Sequence, residues 1–183
     1  MNRIILASGS PRRKELMALT GLDFEIMISQ ADESLPVNIS PKEAVETLSF
    51  KKAEAINEKN CIIIGADTVV ALDNKILGKP SSKEEARKML LSLSGKVHSV
   101  YTGVTLIKND FVLTFSEKTD VEFFSLSEEE IENYLLLPEY KDKAGAYGIQ
   151  GIGGLFVKKI TGDYNNVVGL PISRLYREIK KLL

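Results

Sequence analysis

Four cations and two acids stand in constrained settings along this chain, and these are the residues whose types and spacing could do chemistry. Arg12 and Arg13 follow Ser8-Gly9-Ser10-Pro11, where Ser10 suits a helix N-cap and Pro11 the first helical position. Both arginines then fall beside unpaired amide N–H groups and the positive end of the helix dipole, which works against the helix. An anion held by those amides, the serine hydroxyls and two guanidinium forks supplies a reason; arginines pointing into solvent are the plainer alternative. Lys52 shares a stripe with apolar residues, so it either runs outward along its methylenes or enters a cavity holding negative charge. Lys79 is fixed between Gly78 and Pro80, unless it is an ordinary solvated loop lysine. Asp67 directly follows an apolar strand, with only Gly65 and Ala66 to crowd it, where α/β proteins build sites; the alternative is a cap or turn residue. Glu33 belongs to the loop pair Asp32-Glu33, whose other reading is solvated charge. Taken together the set suits a polyphosphate bound with a divalent metal, the cations holding phosphates while the acids hold the metal and orient a water.

The elements that must position these residues alternate in pattern. Residues 3–7 predict a buried strand, 11–19 a helix closed at Gly21, and 24–28 a second short strand. Ser40-Pro41-Lys42-Glu43 is a capping box opening a helix with Val45, Leu48, Lys52 and Ala55 on one stripe and Ala44 and Ile56 beside it. Residues 61–66 read as a central strand buried on both faces, ending at Asp67, after which 68–70 continue in strand pattern. A turn at 73–75 leads to a return at 76–80. A second capping box, Ser82-Lys83-Glu84-Glu85, opens a helix turning Ala86, Met89, Leu90 and Leu93 inward and closing at Gly95. Residues 97–107 and 111–124 form a long hairpin. His98 in its first arm reads as structural, since no serine or cysteine nucleophile pattern and no second metal-ligand candidate accompanies it. Ser127-Glu128-Glu129-Glu130 begins a further helix ending near Pro138. The segment 143–154 is glycine-dense yet nearly uncharged, so backbone there approaches backbone or ligand, and Gln150 offers donor and acceptor to a base edge. A strand at 155–160, a polar turn at 162–166 and a final helix burying Ile172, Leu175, Ile179 and Leu182 complete the chain.

Composition narrows the classes. With 183 residues, 44% hydrophobic and 27% charged, the chain fits one domain, 1–183, with a single large core and no repeats. A net charge of −1 gives no general attraction to nucleic acid or membrane, and an RNA-binding role is disfavoured. The lone Cys61, in an apolar run, reads as a buried inert thiol, and the absence of an internal disulfide partner points to a reducing compartment. No apolar run approaches a membrane span and the N-terminus is too short for a signal peptide, so a cytoplasmic location is expected. Ser8-Gly9-Ser10-Pro11 is not a P-loop, and the glycines of 145–154 lack the Rossmann spacing.

The chain resembles the Maf family of nucleoside triphosphate pyrophosphatases, also called septum-formation inhibitor proteins, over nearly its whole length. The resemblance is carried by Leu6-Ala7-Ser8-Gly9-Ser10-Pro11-Arg12-Arg13, Gly65-Ala66-Asp67-Thr68-Val69-Val70, Leu77-Gly78-Lys79-Pro80, Tyr101-Thr102-Gly103-Val104, Lys143-Ala144-Gly145-Ala146-Tyr147-Gly148-Ile149-Gln150-Gly151 and Asn166-Val167-Val168-Gly169-Leu170-Pro171. It implies an α/β fold, a mixed twisted sheet with flanking helices and two lobes around a nucleotide cleft, like that of inosine triphosphatases. It implies hydrolysis of dTTP and UTP, or modified pyrimidine nucleotides, to the monophosphate and pyrophosphate, by metal-assisted attack of water on the α-phosphate. Carried over by position, Asp67 is the proton acceptor; Ser8, Arg13, Lys52 and Lys79 contact the triphosphate; Glu33 and Asp67 hold Mg²⁺ or Mn²⁺. Arg12, Thr68 and Gln150 match the positions that set base choice in the dTTP/UTP branch, whereas a branch preferring 7-methyl-GTP carries tryptophan where Arg12 stands. Adjacent Asp67 and Thr68 would point to opposite faces of a regular strand, so a bulge or the strand's end is needed to bring both to the cleft. The family's older name raises a second reading, a nucleotide-binding regulator of cell division acting through a protein partner. The hairpin's edge, which needs cover, suggests a homodimer.

Overall fold

The apolar run at 61–66 grows into a twelve-residue strand, β3 (Cys61–Leu72), and the rest of the sheet assembles on it. The structure is a computed structural model that describes residues 3–183. Its elements are β1 (Arg3–Leu6), α1 (Pro11–Ala18), β2 (Glu25–Ile26), α2 (Pro41–Glu54), β3, β4 (Lys75–Leu77), α3 (Lys83–Leu93), β5 (Val97–Lys108), β6 (Phe111–Phe123), α4 (Glu128–Tyr134), β7 (Val157–Thr161), α5 (Tyr164–Val168) and α6 (Ile172–Leu182). Among the described residues the sheet runs β2-β1-β3-β5-β6-β7, with β4 also paired to β3. β1 is parallel to both β2 and β3, and the remaining pairs are antiparallel. The expected mixed α/β architecture is therefore present.

Two features of this pairing shape the molecule. First, β1 leaves β3 at the Leu6–Ile64 pair and β4 joins only at Val70–Leu77. Between them, residues 65–69 have β5 on one side and, among the described residues, no strand on the other. Second, α2 crosses β3 and β5 at Gly65 and Gly103, where an added Cβ would overlap the carbonyl oxygens of Ser49 and Val45. Only glycine permits backbone that close. The buried side chains fall into three groups. Leu6, Met17, Ile64, Leu106, Leu170 and Leu175 pack under α1 and α6; Ile5, Ala53, Ile56 and Ile63 pack under α2; Leu90, Leu93, Phe123, Tyr134, Tyr147 and Phe156 form a second lobe.

Several local expectations are revised. β3 does not end at Asp67 but continues in unbroken register with β5 through Ala71. The strand expected over 24–28 shrinks to two residues. The Ser82 box is half formed: Ser82 accepts from the Glu85 N–H at 3.1 Å, but the Glu85 carboxylate turns to Ser81. Met89 is only partly buried beside Ala86, Leu90 and Leu93. α2 ends at Glu54, which leaves Ala55 exposed and Ala53 buried in its place. Residues 152–156 form a 3₁₀ turn ahead of β7, and Leu155 is exposed. The polar stretch 162–166 is no open turn, because Asp163 caps α5 and buries Asn166 completely. β7 covers β6 only over its last residues, and Phe111 to Thr119 have no second strand partner among the described residues.

His98 is structural, as expected. It is buried, its Nε2 lies 2.8 Å from the Tyr147 hydroxyl, and its ring meets Phe123 edge-on. Burial pushes its pKa down from 6.5 to about 4, against the weaker pull of Asp120. The unfolded chain therefore takes up the proton first, and stability falls as pH drops from about 6.5 toward 4. The full loss amounts to about 3 kcal/mol. Urea midpoints measured from pH 7 to pH 4 are expected to fall accordingly, and His98→Gln, less stable at pH 7, should flatten that slope. An unchanged slope in the variant would contradict this account.

Candidate active site

The turn after β1 delivers the first group of site residues. Ser10 caps α1 by accepting from the Arg13 N–H, and Pro11 opens the helix. Arg13 does not point into solvent. Its Nε donates to the Gly169 carbonyl at 2.9 Å, Nη1 to the Ala66 carbonyl at 2.8 Å and to Ser8 Oγ at 3.3 Å, and Nη2 to Thr68 Oγ1 at 3.1 Å. Four of its five N–H donors are thus used within the protein. The Ala66 carbonyl lies on the part of β3 that lacks a second strand, and Arg13 takes the place a ladder partner would have filled. Burial pulls its pKa below the usual arginine value, with the Asp67 charge opposing.

Asp67 and Thr68 do point to opposite faces, yet both line the same cavity. Neither a bulge nor a strand end is involved. The cavity opens along the bare edge of β3, so side chains from both faces converge on it. On one face α2 brings Lys52 to Asp67 Oδ1 at 2.5 Å and to Glu33 at 3.0 Å. Lys52 is only 14% exposed, which realises the reading of a cation aimed into a negative cavity. On the other face Thr68 accepts from Arg13, its Oγ1 meets Thr102 Oγ1 at 2.9 Å, and Thr102 donates to the Asn166 carbonyl at 3.0 Å. With both hydroxyls satisfied, a directed chain runs Arg13 to Thr68 to Thr102 to Asn166. Asn166 in turn donates to the Val100 carbonyl and to Thr119.

The second lobe supplies the far wall. Gln150 and Lys79 are exposed on the cavity, and Lys79 makes no ion pair among the described residues. Arg12 reaches across to Asp142 at 3.5 Å. Ser8, Arg12, Arg13, Glu33, Lys52, Asp67, Thr68, Lys79 and Gln150 all line this one cavity of about 880 Å³, within the range of roughly 300–1,000 Å³ usual for ligand sites. Among the described residues no three potential ligands cluster as a preformed metal cage. Two carboxylates facing a cavity lined by cations nevertheless fit a hard divalent ion that would complete its shell with water and ligand oxygens.

Sequence reading missed Ser49, Glu139 and Asp142. Ser49 sat between the apolar positions of α2 without a pattern of its own, though it is fully buried and bonds Thr105 Oγ1 at 3.0 Å. Glu139 and Asp142 carried no local signal, because the Ile152 and Gly153 amides that meet the one and the Arg12 guanidinium that meets the other lie in other segments. Asn166 belongs to the motif Asn166-Val167-Val168-Gly169-Leu170-Pro171, but its burial is not legible in a stretch that looks like a polar turn.

Thr68→Val keeps the side chain's shape but removes the hydroxyl, leaving an Arg13 N–H and Thr102 without their partner. The expected cost is about 1–3 kcal/mol in urea unfolding, with Thr68→Ser close to the parent. Equal stability of the two variants would refute the chain of donors described above.

Comparisons with known proteins bear on the fold and on the family. Solved structures of the Ham1 protein of Staphylococcus aureus (TM-score 0.57, 15% identity, all of both chains covered) and a HAM1 protein of Coxiella burnetii (TM-score 0.57, 13% identity, 99% of this chain and 100% of that one) share the fold. In sequence, the chain is 55% identical to a dTTP/UTP pyrophosphatase of Bacillus anthracis, across 99% of this chain and 96% of the relative. It is 54% identical to a protein of the same name from Bacillus cereus strain ATCC 10987, across 99% and 90%. A family model described as Maf-like protein matches residues 3–182, and the chain belongs to the Maf-like protein family.

Proposed function

We propose that this chain hydrolyses dTTP and UTP to the nucleoside monophosphate and pyrophosphate, by attack of water on the α-phosphorus. Relatives more than half identical carry that activity in their names. The observation that carries the reading is the opening of one acid, Asp67, into the same cavity as Arg12, Arg13, Lys52 and Lys79.

Asp67 is the general base in this reading. Lys52 holds Oδ1, and Oδ2, which has no hydrogen bond among the described residues, is left to take the proton of the attacking water. An α-phosphate repels a nucleophile through its own charge, so the cations must neutralise it before attack. Arg13 has one N–H left to offer, beside the Ser8 hydroxyl. Lys79, without an ion pair among the described residues, is available to the departing pyrophosphate. Glu33 and Asp67 are the residues that would hold Mg²⁺ or Mn²⁺, which when bound supplies further positive charge against the phosphate oxygens. Base choice falls to Arg12 and Gln150 directly, and to Thr68 through Arg13 and Gly169. The buried, unpaired Cys61 supports a reducing, cytoplasmic setting for this chemistry.

Asp67→Asn is expected to retain nucleotide binding while turnover of dTTP falls by about 10²-fold or more, followed by pyrophosphate release; parent-rate turnover would remove Asp67 from the mechanism. Arg12→Ala should reorder the bases rather than weaken triphosphate binding as a whole. Equal losses for dTTP, UTP and GTP would show that Arg12 serves the phosphates instead.

A further inference from the structure

The glycine-dense segment is wrapped around a carboxylate. Glu139, in the 3₁₀ turn Pro138–Asp142, accepts the Ile152 N–H at Oε2 and the Gly153 N–H at Oε1, both at 3.0 Å, and the Tyr134 hydroxyl at 3.2 Å. Two successive amides bent onto one carboxylate form an anion nest whose anion belongs to the protein itself. The glycines give the acid room. An added Cβ on Gly151 would overlap Glu139 Oε2, and one on Gly148 would come within 3.1 Å of Oε1. Gly148 accepts from the Gly151 N–H at 3.2 Å, closing a turn, and Gly151 accepts from the Gly154 N–H at 3.0 Å, closing the next. Ile149 and Gln150 are the central residues of the first turn. Gln150 is exposed on the cavity while Ile149 is partly buried against the core.

We propose that Glu139 is a specificity-determining positioning residue: its carboxylate fixes the Gly148–Gly151 turn and so aims the Gln150 amide at the base. The inference rests on the pyrophosphatase reading and deepens it. Gln150 is a flexible, exposed side chain on a turn that Ile149 anchors only on its other side, and an amide that reads a base edge must be held in orientation. Glu139 lines the same cavity and supplies that hold through the two amides it accepts. Its negative charge is compatible with a neighbouring polyphosphate because two amides and a hydroxyl already compensate it.

The test is steady-state hydrolysis of dTTP, UTP, CTP and GTP by the parent, E139Q, Q150A and the double variant, with thermal melts of each. E139Q preserves shape but offers only one acceptor oxygen to the two amides. Its kcat/KM for dTTP is expected to fall about 5–20-fold, carried by KM rather than kcat, and its preference for dTTP and UTP over CTP and GTP to shrink several-fold. In the Q150A background, E139Q should change that preference no further, since two residues acting through one contact are not additive. Should E139Q fail to fold, G151A strains the same brace from its other side and carries the same expectations. A folded variant with the parent's base preference, or additive effects in the double variant, overturns the role of Glu139. A parent inert toward all four nucleotides overturns the pyrophosphatase reading itself.

Discussion

The site depends on how closely α2 approaches the sheet. Val45, Ser49 and Lys52 occupy one face of that helix, and beneath them lie Gly103, Gly65 and Asp67. The first two contacts are backbone against bare glycine, where a Cβ would overlap a carbonyl oxygen. Only because the helix sits that low does Lys52, one turn on, meet Asp67 within hydrogen-bond distance and reach Glu33 as well. A largely buried lysine is tolerated for the same reason: its charge is taken up by two carboxylates, and removing either partner would leave it poorly compensated. The glycines belong to the geometry of the cavity although Gly65 and Gly103 serve it only by letting the helix approach.

A second constraint is the bare edge of β3. Sheets normally pair their interior strands on both sides, and an unpaired stretch leaves carbonyl and amide groups in need of partners. Here β1 has departed and β4 has not yet joined, and Arg13 occupies the gap by accepting the role of a neighbouring strand at the Ala66 carbonyl. The missing strand is what makes the cavity, and it is also why residues of opposite parity can line it together. Arg13 joins the β1–α1 turn, the β3 edge and the Gly169 carbonyl that follows α5, so it acts more as a tie between segments than as a free phosphate hook.

Much of this was legible in the sequence where signals are local. Capping serines and prolines placed α1, α2 and α4, and the apolar run at 61–66 announced the central strand. The nine site residues, taken from constrained cations, acids and the family resemblance, meet in one cavity. What could not be read was decided by long-range pairing. Asp67 looked like a strand end because an acid directly follows the apolar run, yet the ladder to β5 continues through Ala71 and the strand to Leu72. Residues 162–166 looked like a turn, but Asn166 is drawn inward by Val100, Thr102 and Thr119, none of them near it in sequence. Glu139 and its amides are separated by thirteen residues or more, beyond any capping signature.

The central claim is that water delivered by Asp67 attacks the α-phosphorus and no other. Hydrolysis of dTTP in ¹⁸O-labelled water, with the products separated and weighed by mass spectrometry, tests it directly. The account predicts one labelled oxygen in the thymidine monophosphate and none in the pyrophosphate. Label in pyrophosphate, or release of orthophosphate with a diphosphate product, would contradict it.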